Sequence, residues 1–535
     1  MGKLSVAQML LEHPADANSR NDDGQAPLHL LSKRETSQDQ DNDCDLAKLL
    51  LEHGANMNER DKNNVTPLDL ATYLKKSEIV RVLLDHSAKA NSETAIGETT
   101  LHSVSCVKYE SQKDGVRAAQ PLLERGVDVD TQHKDDRIPL HTASYHGKFR
   151  VVRLLLDYGA AANAKTNNGE TALHKVSCGK YESQEDGVGI AQLLLERGVD
   201  VNAPRADHQT PLHFASYYGN IAIARLLLDR GANPSANAGG DLGSTPLHKV
   251  SRGKYKSQDD GIRIAQLLLE RGADVNALRT DHQTPLHLAS YNGNIAIARL
   301  LLDHGAKANV GDDRGDTPLH NISYGEYESQ DDGIRVARLL LEHGVDVDAP
   351  RPDHRTSLHV ASYHGNIAIA RLLLDRGANA NAGGDRESPL HRVSYGKYKS
   401  QDDGVRVAQL LLERGADVDA SRSGGGADHQ TPLHFASYYG NLAIAQLLLD
   451  CGAKSDALDD FGKAPLHEVS RGTYDSEDPG VGVAQLLLEH GADMNAKAKS
   501  GQTPIDYATC NQKFKLAQLL LEHAVKFDAQ RPQAS

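Results

Sequence analysis

The sequence contains no tryptophan, and aromatic residues make up only 4% of its 535 positions. Cysteine is also scarce, with five residues that are far apart and form no CxxC pair: Cys44, Cys106, Cys178, Cys451 and Cys510. Such a set forms neither a disulfide framework nor a zinc or redox motif. We therefore expect a reducing, intracellular compartment, either cytoplasm or nucleus.

Long apolar runs and basic clusters are missing as well. No window approaches the roughly 18 apolar residues of a membrane span, and the N-terminus has no cleavable leader pattern. Acidic residues outnumber basic ones by 73 to 59, which gives a net charge of −14 and disfavours nucleic-acid binding. Neither a GxxxxGK[ST] phosphate loop nor an HExxH zinc motif occurs. These gaps argue against membrane insertion, nucleic-acid binding, a bound cofactor and enzymatic activity.

One motif dominates what is present. Thr-Pro-Leu-His or a near relative begins at 14 positions: Ala26, Thr66, Thr99, Ile138, Thr171, Thr210, Thr245, Thr284, Thr317, Thr356, Ser388, Thr431, Ala464 and Thr503. Recurrence at a nearly fixed period indicates a repeat protein, whose units bury their apolar faces only by stacking on their neighbours.

The unit that begins at Thr284 shows how each repeat should fold. Thr284 is placed to cap a helix, and Pro285 sits at the first helical position, where its missing N–H costs nothing. This first helix should end near Gly293. A second helix follows, with Ile and Leu at helical spacing, and Gly305 suits the left-handed position that closes it.

These residues resemble the ankyrin repeat, and the resemblance covers almost the whole chain. It implies an all-α fold, an ankyrin-repeat solenoid of stacked helix-turn-helix units with short β-hairpin-like connections. It also implies that the motif histidine, His287 in this unit, is structural. We divide the chain into a partial N-terminal repeat (1–25), an array of 14 units (26–527) and a C-terminal tail (528–535).

The units alternate in length. Short units of 32–35 residues begin at Thr66, Ile138, Thr210, Thr284, Thr356 and Thr431, and most long units have 39. The extra residues form a segment between the two helices, which we call the insert; it reads KYKSQDDG at 254–261, and related copies centre on Tyr109, Tyr181, Tyr327, Tyr398 and Tyr474.

The acidic end of the insert has three interpretations. Ser257 followed three residues later by Asp260 fits a capping box at a helix start. Phosphorylation of such a serine is the second interpretation. Calcium binding by Asp39, Asp41 and Asp43 is the third, although the glycine and glutamate of a calcium loop are missing.

A few units depart from the pattern. Pro121 lies inside a second helix, where it removes a hydrogen bond and should kink or weaken the helix. Asp69 and Asp506 replace the motif histidine.

Histidine is abundant, but repetition keeps equivalent histidines about 10 Å apart, the helix packing distance. Zinc ligands must converge on one ion, so we expect no metal site. Four histidines occupy the turn of the connecting segment, where ankyrin repeats usually have glycine: His208, His282, His354 and His429. Either this turn differs, or these side chains contact something.

Tyrosines recur near the end of the first helix in short units. We call the following residues the tyrosine ladder: Tyr145, His146, Tyr217, Tyr218, Tyr291, Asn292, Tyr363, His364, Tyr438 and Tyr439. In ankyrin repeats these positions face the concave groove, and tyrosine is a typical interface residue. Long units place Lys175, Lys249 and Arg392 one turn earlier, which would add basic bands. The alternative is that the tyrosines pack on the next unit.

The expected function is that of a monomeric, non-enzymatic scaffold that binds a protein partner through the concave groove, with the four turn histidines as further contacts. The chain begins with a lone second helix. This motivates an alternative in which it is the recognition arm of a larger signalling, immune-sensor or ubiquitin-ligase assembly.

Overall fold

The computed structural model describes residues 2–13, 15–34, 40–86, 88, 99–108, 111–179, 181, 183–237, 242–253, 258–324, 330–383, 387–398, 400–422, 429–472 and 478–530. The chain divides into two compact units, Met1–Asp274 and Val275–Ser535. The described residues form helices and contain no β-strand, which confirms the all-α prediction.

The first compact unit contains fifteen described helices. They are α1 Gly2–Glu12, α2 Pro27–Lys33, α3 Gln40–Glu52, α4 Pro67–Tyr73, α5 Ser77–Asp85, α6 Thr100–Cys106, α7 Gln112–Glu124, α8 Pro139–Tyr145, α9 Phe149–Asp157, α10 Ala172–Cys178, α11 Gln184–Glu196, α12 Pro211–Tyr218, α13 Ile221–Asp229, α14 Pro246–Arg252 and α15 Gln258–Glu270.

The second compact unit continues the same alternation. Its described helices are α16 Pro285–Tyr291, α17 Ile295–Asp303, α18 Pro318–Tyr324, α19 Gln330–Glu342, α20 Ser357–His364, α21 Ile367–Asp375, α22 Pro389–Ser394, α23 Gln401–Glu413, α24 Pro432–Tyr439, α25 Leu442–Asp450, α26 Pro465–Arg471, α27 Asp478–Glu489, α28 Pro504–Cys510 and α29 Phe514–Gln530. The last helix passes position 527, where we placed the end of the array.

Every even-numbered helix is a first helix and begins directly after a motif start. Thr284 has extended backbone angles (φ −93°, ψ 166°), and Pro285 opens the helix as expected. Second helices alternate between 9 residues in short units and mostly 13 in long units, so each insert adds a helical turn.

Within each compact unit the helices form two layers. First helices stack in sequence, as α8, α10 and α12 do, and second helices stack behind them, as α9, α11 and α13 do. Leu140, Leu173 and Leu212 are completely buried between the layers. Burial of one such side chain stabilises the fold by about 1.5–3 kcal/mol.

The connections between units are tight turns that resemble hairpins. In one of them, the Gly315 N–H donates to the Asp312 carbonyl at 2.8 Å, and the Asp312 N–H donates to the Asp316 carbonyl at 2.9 Å. The Asp313 N–H donates to the Asp281 carbonyl of the preceding turn at 3.2 Å. We call these projecting turns fingers; their contacts confirm the predicted hairpin-like connections.

The ends of the second helices carry a series of Arg–Asp pairs. Arg197 donates to Asp157 at 2.7 Å and to the Leu156 carbonyl at 2.9 Å. Arg414 makes the equivalent contact with Asp375 at 2.6 Å. The second helices of short units end in Asp, and four of those in long units are followed by an arginine that reaches back to the unit before it: Arg125, Arg197, Arg271 and Arg414. Exposed pairs of this kind contribute about 0.2–1 kcal/mol each.

Pro121 does not end its helix. Helix α7 has 13 residues, as α11 has, and the Arg125 N–H donates to the Pro121 carbonyl at 3.3 Å. The helix is continuous, and its lower stability stays a prediction.

Candidate protein-binding groove

The tyrosine ladder lies on the last turn of the short units' first helices. Tyr217, Tyr218, Tyr291 and Tyr439 are 36%, 53%, 46% and 47% exposed. The other ladder residues are half-buried, apart from the exposed Asn292: Tyr145, His146, Tyr363, His364 and Tyr438. Four ladder tyrosines are therefore accessible, and none of the ladder residues belongs to the fully buried core.

Neighbouring ladder rings fix one another edge to face. The ring centroids of Tyr217 and Tyr218 lie 5.1 Å apart at 86°, and those of Tyr438 and Tyr439 lie 5.0 Å apart at 74°. Tyr145–His146 and Tyr363–His364 repeat this arrangement, both at 5.1 Å. Each pair presents a rigid aromatic surface that loses little entropy on binding.

Sequence reasoning missed one member of this series. Tyr73 is 60% exposed at the end of α4, in the position that Tyr145 occupies in α8. Its unit has the sequence ATYLK at 71–75, whereas the other short units have Ala-Ser-Tyr at this point. This difference obscured the correspondence between Tyr73 and the ladder tyrosines. Counting seven residues from each motif start would have found it.

Basic side chains of the long units lie beside the ladder, and two of the three are ion-paired. Lys175 contacts Glu170 closely, and Arg392 Nη1 lies 3.2 Å from Glu387 Oε2. Lys249 Nζ lies 6.0 Å from the centre of the Tyr217 ring.

Arg392 also lies over two aromatic rings, 4.5 Å from the centre of Tyr363 and 5.0 Å from that of Tyr395. Tyr395 in turn stacks on Tyr439 at 5.4 Å and 22°. Packing on a neighbouring unit, the alternative interpretation, therefore applies to Tyr363, whose ring lies 5.8 Å from that of Tyr395, and to His364, whose ring lies 5.5 Å from that of Tyr324. It also applies to one face of Tyr439, which remains 47% exposed.

The surroundings of both ladder histidines favour the neutral imidazole. Burial lowers the pKa of His146, and Lys148 and Arg137 lower it further. Burial likewise lowers the pKa of His364, with added effects of Arg392 and Lys397. The nearby charges that act on both rings are cations.

The four finger histidines keep the turn that glycine forms elsewhere. His208, His282, His354 and His429 have φ values of 62°, 57°, 64° and 51° in the left-handed region. His429 Nδ1 lies 2.7 Å from Asp460 of the next finger, and His282 contacts Asp313 in the same way. For His208 and His354, residues of the next finger lie outside the described part. Contact with a neighbouring finger thus accounts for two of the four side chains.

The motif histidines are structural, as the resemblance implies. His359 Nδ1 accepts from the Thr356 N–H at 3.0 Å, and its Nε2–H donates to the Glu387 carbonyl of the next finger at 2.8 Å. Burial lowers the pKa of His359 to about 4. No cluster of three metal-binding side chains occurs among the described residues.

The tyrosine of each described insert is a packing anchor, which sequence reasoning did not identify. Tyr398 lies among Gly365, Gly396 and Gly404, so that a Cβ on Gly404 would stand 2.5 Å from its ring and one on Gly365 would stand 2.9 Å away. Its hydroxyl accepts from the Gly396 N–H at 3.1 Å. We call this arrangement the glycine slot.

A second glycine slot holds Tyr181 among Gly147, Gly179 and Gly187. Burial raises the pKa of the Tyr181 hydroxyl. The sequence carried a detectable pattern, Gly-x-Tyr followed by Gly six residues later. Tyr109, Tyr327 and Tyr474 lie outside the described residues.

The slot places each insert beside the ladder. The Lys397 N–H of one insert donates to the Tyr363 carbonyl at 2.9 Å, and Tyr181 of another insert lies against Gly147 of the short unit before it. Inserts therefore line one side of the groove, each fixed to the short unit before it.

The serines of the described inserts cap helices. Ser400 Oγ accepts from the Asp402 N–H at 3.3 Å, and Ser183 Oγ from the Glu185 N–H at 3.2 Å. Ser257 and Asp39 lie outside the described residues. Asp43 is 3% exposed and is bound by Arg34 at 2.8 Å, which leaves it unsuited to the calcium site considered above.

In the described part of the chain, no helix is long and apolar enough to cross a bilayer.

Family models match almost the entire chain. The model for ankyrin repeats in three copies matches residues 1–103, 106–204, 181–277, 254–329 and 397–497. A model for many copies matches residues 340–393, and one for a single ankyrin repeat matches residues 314–351.

Relatives show the same likeness. Ankyrin repeat and SOCS box protein 16 of Mus musculus is 36% identical over 172 residues, which cover 32% of this chain and 36% of the relative. Inversin of Mus musculus is 28% identical over 222 residues, 41% of this chain and 20% of the relative. The chain thus spans only about a third or less of these proteins.

Among solved structures, the human ASB11 ankyrin repeat domain is 25% identical to this chain, with a TM-score of 0.39, and the match covers 47% of this chain and all of that domain. The family-model matches, the motif starts and the two-layered helical stack agree with one another. The chain belongs to the ankyrin-repeat family.

Proposed function

We propose that the chain is a non-enzymatic scaffold that binds a protein partner through the groove lined by the tyrosine ladder. Ankyrin repeats are protein-interaction modules. The observation that carries the proposal is the set of ladder rings that remain accessible on an otherwise well-packed layer of helices: Tyr217, Tyr218, Tyr291 and Tyr439. Rigid tyrosine pairs with one apolar face and a hydroxyl donor are typical anchors of interfaces.

The proposal predicts loss of partner capture when exposed ladder rings are removed. We would compare the native chain with a variant carrying Tyr218→Ser, Tyr291→Ser and Tyr439→Ser in pull-downs from source-cell extracts. Because these side chains are about half exposed, the variant should remain folded by circular dichroism. We expect the native chain to retain a specific protein and the variant to lose it.

Tyr158→Ser is the matched control. Tyr158 is 41% exposed but follows α9, in the layer of second helices. Equal loss in control and ladder variants, or full retention in the ladder variant, would disprove binding through the groove.

The alternative is a recognition arm within a larger signalling, immune-sensor or ubiquitin-ligase assembly. The names of the SOCS box relatives support it, since they pair ankyrin repeats with a second module. Sequencing the transcript on both sides of this reading frame tests it: an in-frame effector domain supports the alternative, and early stop codons on both sides contradict it.

A further inference from the structure

Six aromatic side chains form a continuous series at the C-terminal ends of four neighbouring first helices, α18, α20, α22 and α24. We call this series the aromatic strip, and it consists of Tyr324, His364, Tyr363, Tyr395, Tyr439 and Tyr438. The centroids of consecutive rings lie between 5.0 and 5.8 Å apart. Every ring is at least partly exposed, so the strip is an uninterrupted aromatic surface within the second compact unit.

Two tyrosines of long units connect the ladder residues into this strip. Tyr324 and Tyr395 each stand seven positions after a motif start, where Cys178 and Arg252 stand in long units of the first compact unit. Cysteine and arginine have no aromatic ring, so the ladder lacks this link there. Both rings of the strip's centre are well fixed, since Tyr395 also stacks on Phe435 at 5.2 Å and 28°.

Two arginines contact the strip, and each is paired with a carboxylate. Arg392 Nη1 lies 3.2 Å from Glu387 Oε2, and the Tyr395 hydroxyl donates to the same oxygen at 2.6 Å. At the other end, Arg351 Nη1 donates to the Tyr324 hydroxyl at 2.8 Å, and its Nε lies 3.3 Å from an oxygen of Asp316. The charges within the strip therefore balance one another.

The neighbouring insert brings charges of both signs to the edge of the strip. Asp403 lies beside Gly365, the residue after His364, and the exposed Asp402 precedes it at the start of α23. The cation of Lys397 acts on His364 from the same insert. With mixed charges at its edge and paired charges within, the strip is complementary to an uncharged segment rather than to a strongly acidic or basic one.

The spacing of the helices suits one conformation of such a segment. Packed helices lie about 8–10 Å apart, so the rings recur at about that interval from one first helix to the next. A polyproline II helix completes a turn of three residues in about 9.3 Å, so every third residue would meet the next helix. A β-strand presents the same face about every 6.6 Å and would fall out of step.

The chemistry of the rings agrees with this spacing. Proline-rich segments in the polyproline II conformation dock against aromatic side chains. Their backbone carbonyls have no internal hydrogen bonds and can accept from tyrosine hydroxyls, such as those of Tyr363, Tyr438 and Tyr439. The carbonyls of an α-helical ligand are already bonded within the helix, so a helix cannot use these donors in the same way.

We propose that the aromatic strip binds an uncharged, proline-rich segment of a protein partner, held as a polyproline II helix with proline at every third position. This inference rests on the proposed function and names the chemistry of its partner. Four helices at this spacing accommodate a segment of about ten residues.

The test measures the binding of fluorescent peptides of about 12 residues to the full-length chain by fluorescence anisotropy. The first peptide repeats Leu-Pro-Gln, and the second has the same composition with prolines at irregular intervals. The third is an uncharged strand-forming peptide, and the fourth is an uncharged amphipathic helix. We expect the first peptide to bind at least about tenfold more tightly than the other three. Its affinity should change little with salt, because it carries no charge.

A second set of peptides tests the charge of the segment. Glutamate or lysine in place of each glutamine keeps the proline spacing and adds charge of one sign. Because the strip's own charges are paired, we expect neither peptide to bind more tightly than the glutamine peptide.

The decisive variant is Tyr395→Cys, measured in reducing buffer. It places in α22 the residue that Cys178 supplies in α10, so it should keep the fold while interrupting the strip at its centre. We expect binding of the Leu-Pro-Gln peptide to weaken at least about tenfold. If this variant proves less helical than the native chain, Tyr439→Ser takes its place, since Tyr439 is 47% exposed.

Phe514→Ser is the matched control and should leave binding unchanged. Phe514 is 69% exposed in the same compact unit, but it opens α29 in the layer of second helices. Circular dichroism should show equal helicity in the native chain, the control and the strip variant.

Four outcomes would overturn the inference: no binding of the Leu-Pro-Gln peptide, equal or tighter binding of any other peptide, native affinity in the folded strip variant, or equal losses in that variant and the control. If the pull-down identifies a partner that depends on the ladder but binds without a proline-rich segment, the proposed function stands and this inference fails.

Discussion

At the scale of single residues, the motif histidine links each helix start to the next finger. His359 satisfies the Thr356 N–H and donates to the Glu387 carbonyl while fully buried. We expect His359→Ala to cost about 2 kcal/mol, because both backbone groups lose their partner. Urea unfolding followed by circular dichroism and hydrogen exchange in helices α20 and α21 measures this cost. His304→Ala, at the exposed end of α17, should have a small effect, and an equal effect would contradict the role assigned to His359.

The same histidines predict the response to acid. Burial lowers the pKa from 6.5 to about 4 for seven of them, namely His102, His141, His174, His213, His320, His359 and His391. The native state therefore favours neutral imidazole, so this stabilisation is complete above pH 6.5 and is lost as pH falls towards 4. Urea midpoints measured from pH 8 to 4 should drop steeply over that window. A flat profile would disprove the prediction.

The two aspartates that replace the motif histidine have pKa values shifted in opposite directions. Burial raises the pKa of Asp69, whose carboxylate accepts from the Thr66 N–H at 3.1 Å and from the Thr100 hydroxyl of the next unit at 2.5 Å. Hydrogen bonds from Thr503 lower the pKa of Asp506, which is exposed. Thr100 stands where most units have the motif proline, and its hydroxyl is the donor to Asp69. The two departures from the motif, Asp69 and Thr100, are therefore in contact.

The opposite pKa shifts predict opposite effects of rising pH on the stability of the two asparagine variants, relative to the native chain. The charged form of Asp69 is disfavoured in the native state, so Asp69→Asn should gain stability relative to the native chain as pH rises from 4 to 8. The charged form of Asp506 is favoured, so Asp506→Asn should lose stability relative to the native chain as pH rises towards the ordinary pKa of 3.8, and should change little above it. Urea midpoints of the three proteins at about pH 3, 4 and 8 provide the measurement. A loss for Asp69→Asn from pH 4 to 8, or a gain for Asp506→Asn as pH rises to 4, would contradict it.

The residue pattern predicted the helix starts well because their causes are local. Thr284 and Pro285 act on the backbone next to them, so the helix cap and the first helical turn can be predicted from these two residues. The ion pair between Arg392 and Glu387 was not predicted, although the two residues are five positions apart, because the sequence does not show how the two side chains are oriented.

At the scale of elements, the glycine slot determines where each insert lies. Gly404→Ala in α23 should be destabilising, because overpacking against Tyr398 costs about 1–3 kcal/mol and exceeds the gain of about 1 kcal/mol in helix propensity. Hydrogen exchange of α23 should increase. Gly482→Ala in α27 is the control, since its Cβ would stand 3.3 Å from the flexible end of Leu442. A neutral or stabilising Gly404→Ala would show that Tyr398 can move aside.

Sequence reasoning found the inserts and their capping serines but gave their tyrosines no role. Helix periodicity and caps involve residues a few positions apart, whereas Tyr398 meets Gly365 across a unit boundary. Only the stacking of units brings these residues together. The tyrosine ladder was found because the resemblance to ankyrin repeats supplied the direction of its side chains.

At the scale of the whole molecule, each of the two described glycine slots joins a long unit to the short unit before it. Deletion of the pair 356–430 removes Tyr398 together with Gly365, so the shortened chain should keep the native helix content per residue and a cooperative transition. Deletion of 356–387 alone removes Gly365 and leaves Tyr398 without its slot. Circular dichroism and gel filtration should show a less helical, partly aggregated product. Identical behaviour of the two deletions would disprove pairwise coupling.

The glycine slot also constrains how such a gene can change length. Unequal recombination between similar repeats adds or removes segments. A step of one unit would separate an insert tyrosine from the glycine that receives it, and a step of one short–long pair would preserve every contact. Recombinants that differ by whole pairs should therefore survive selection for a folded product. Helices α13, α17 and α21, identical in sequence and each in a short unit, have the spacing of whole pairs that this history would produce.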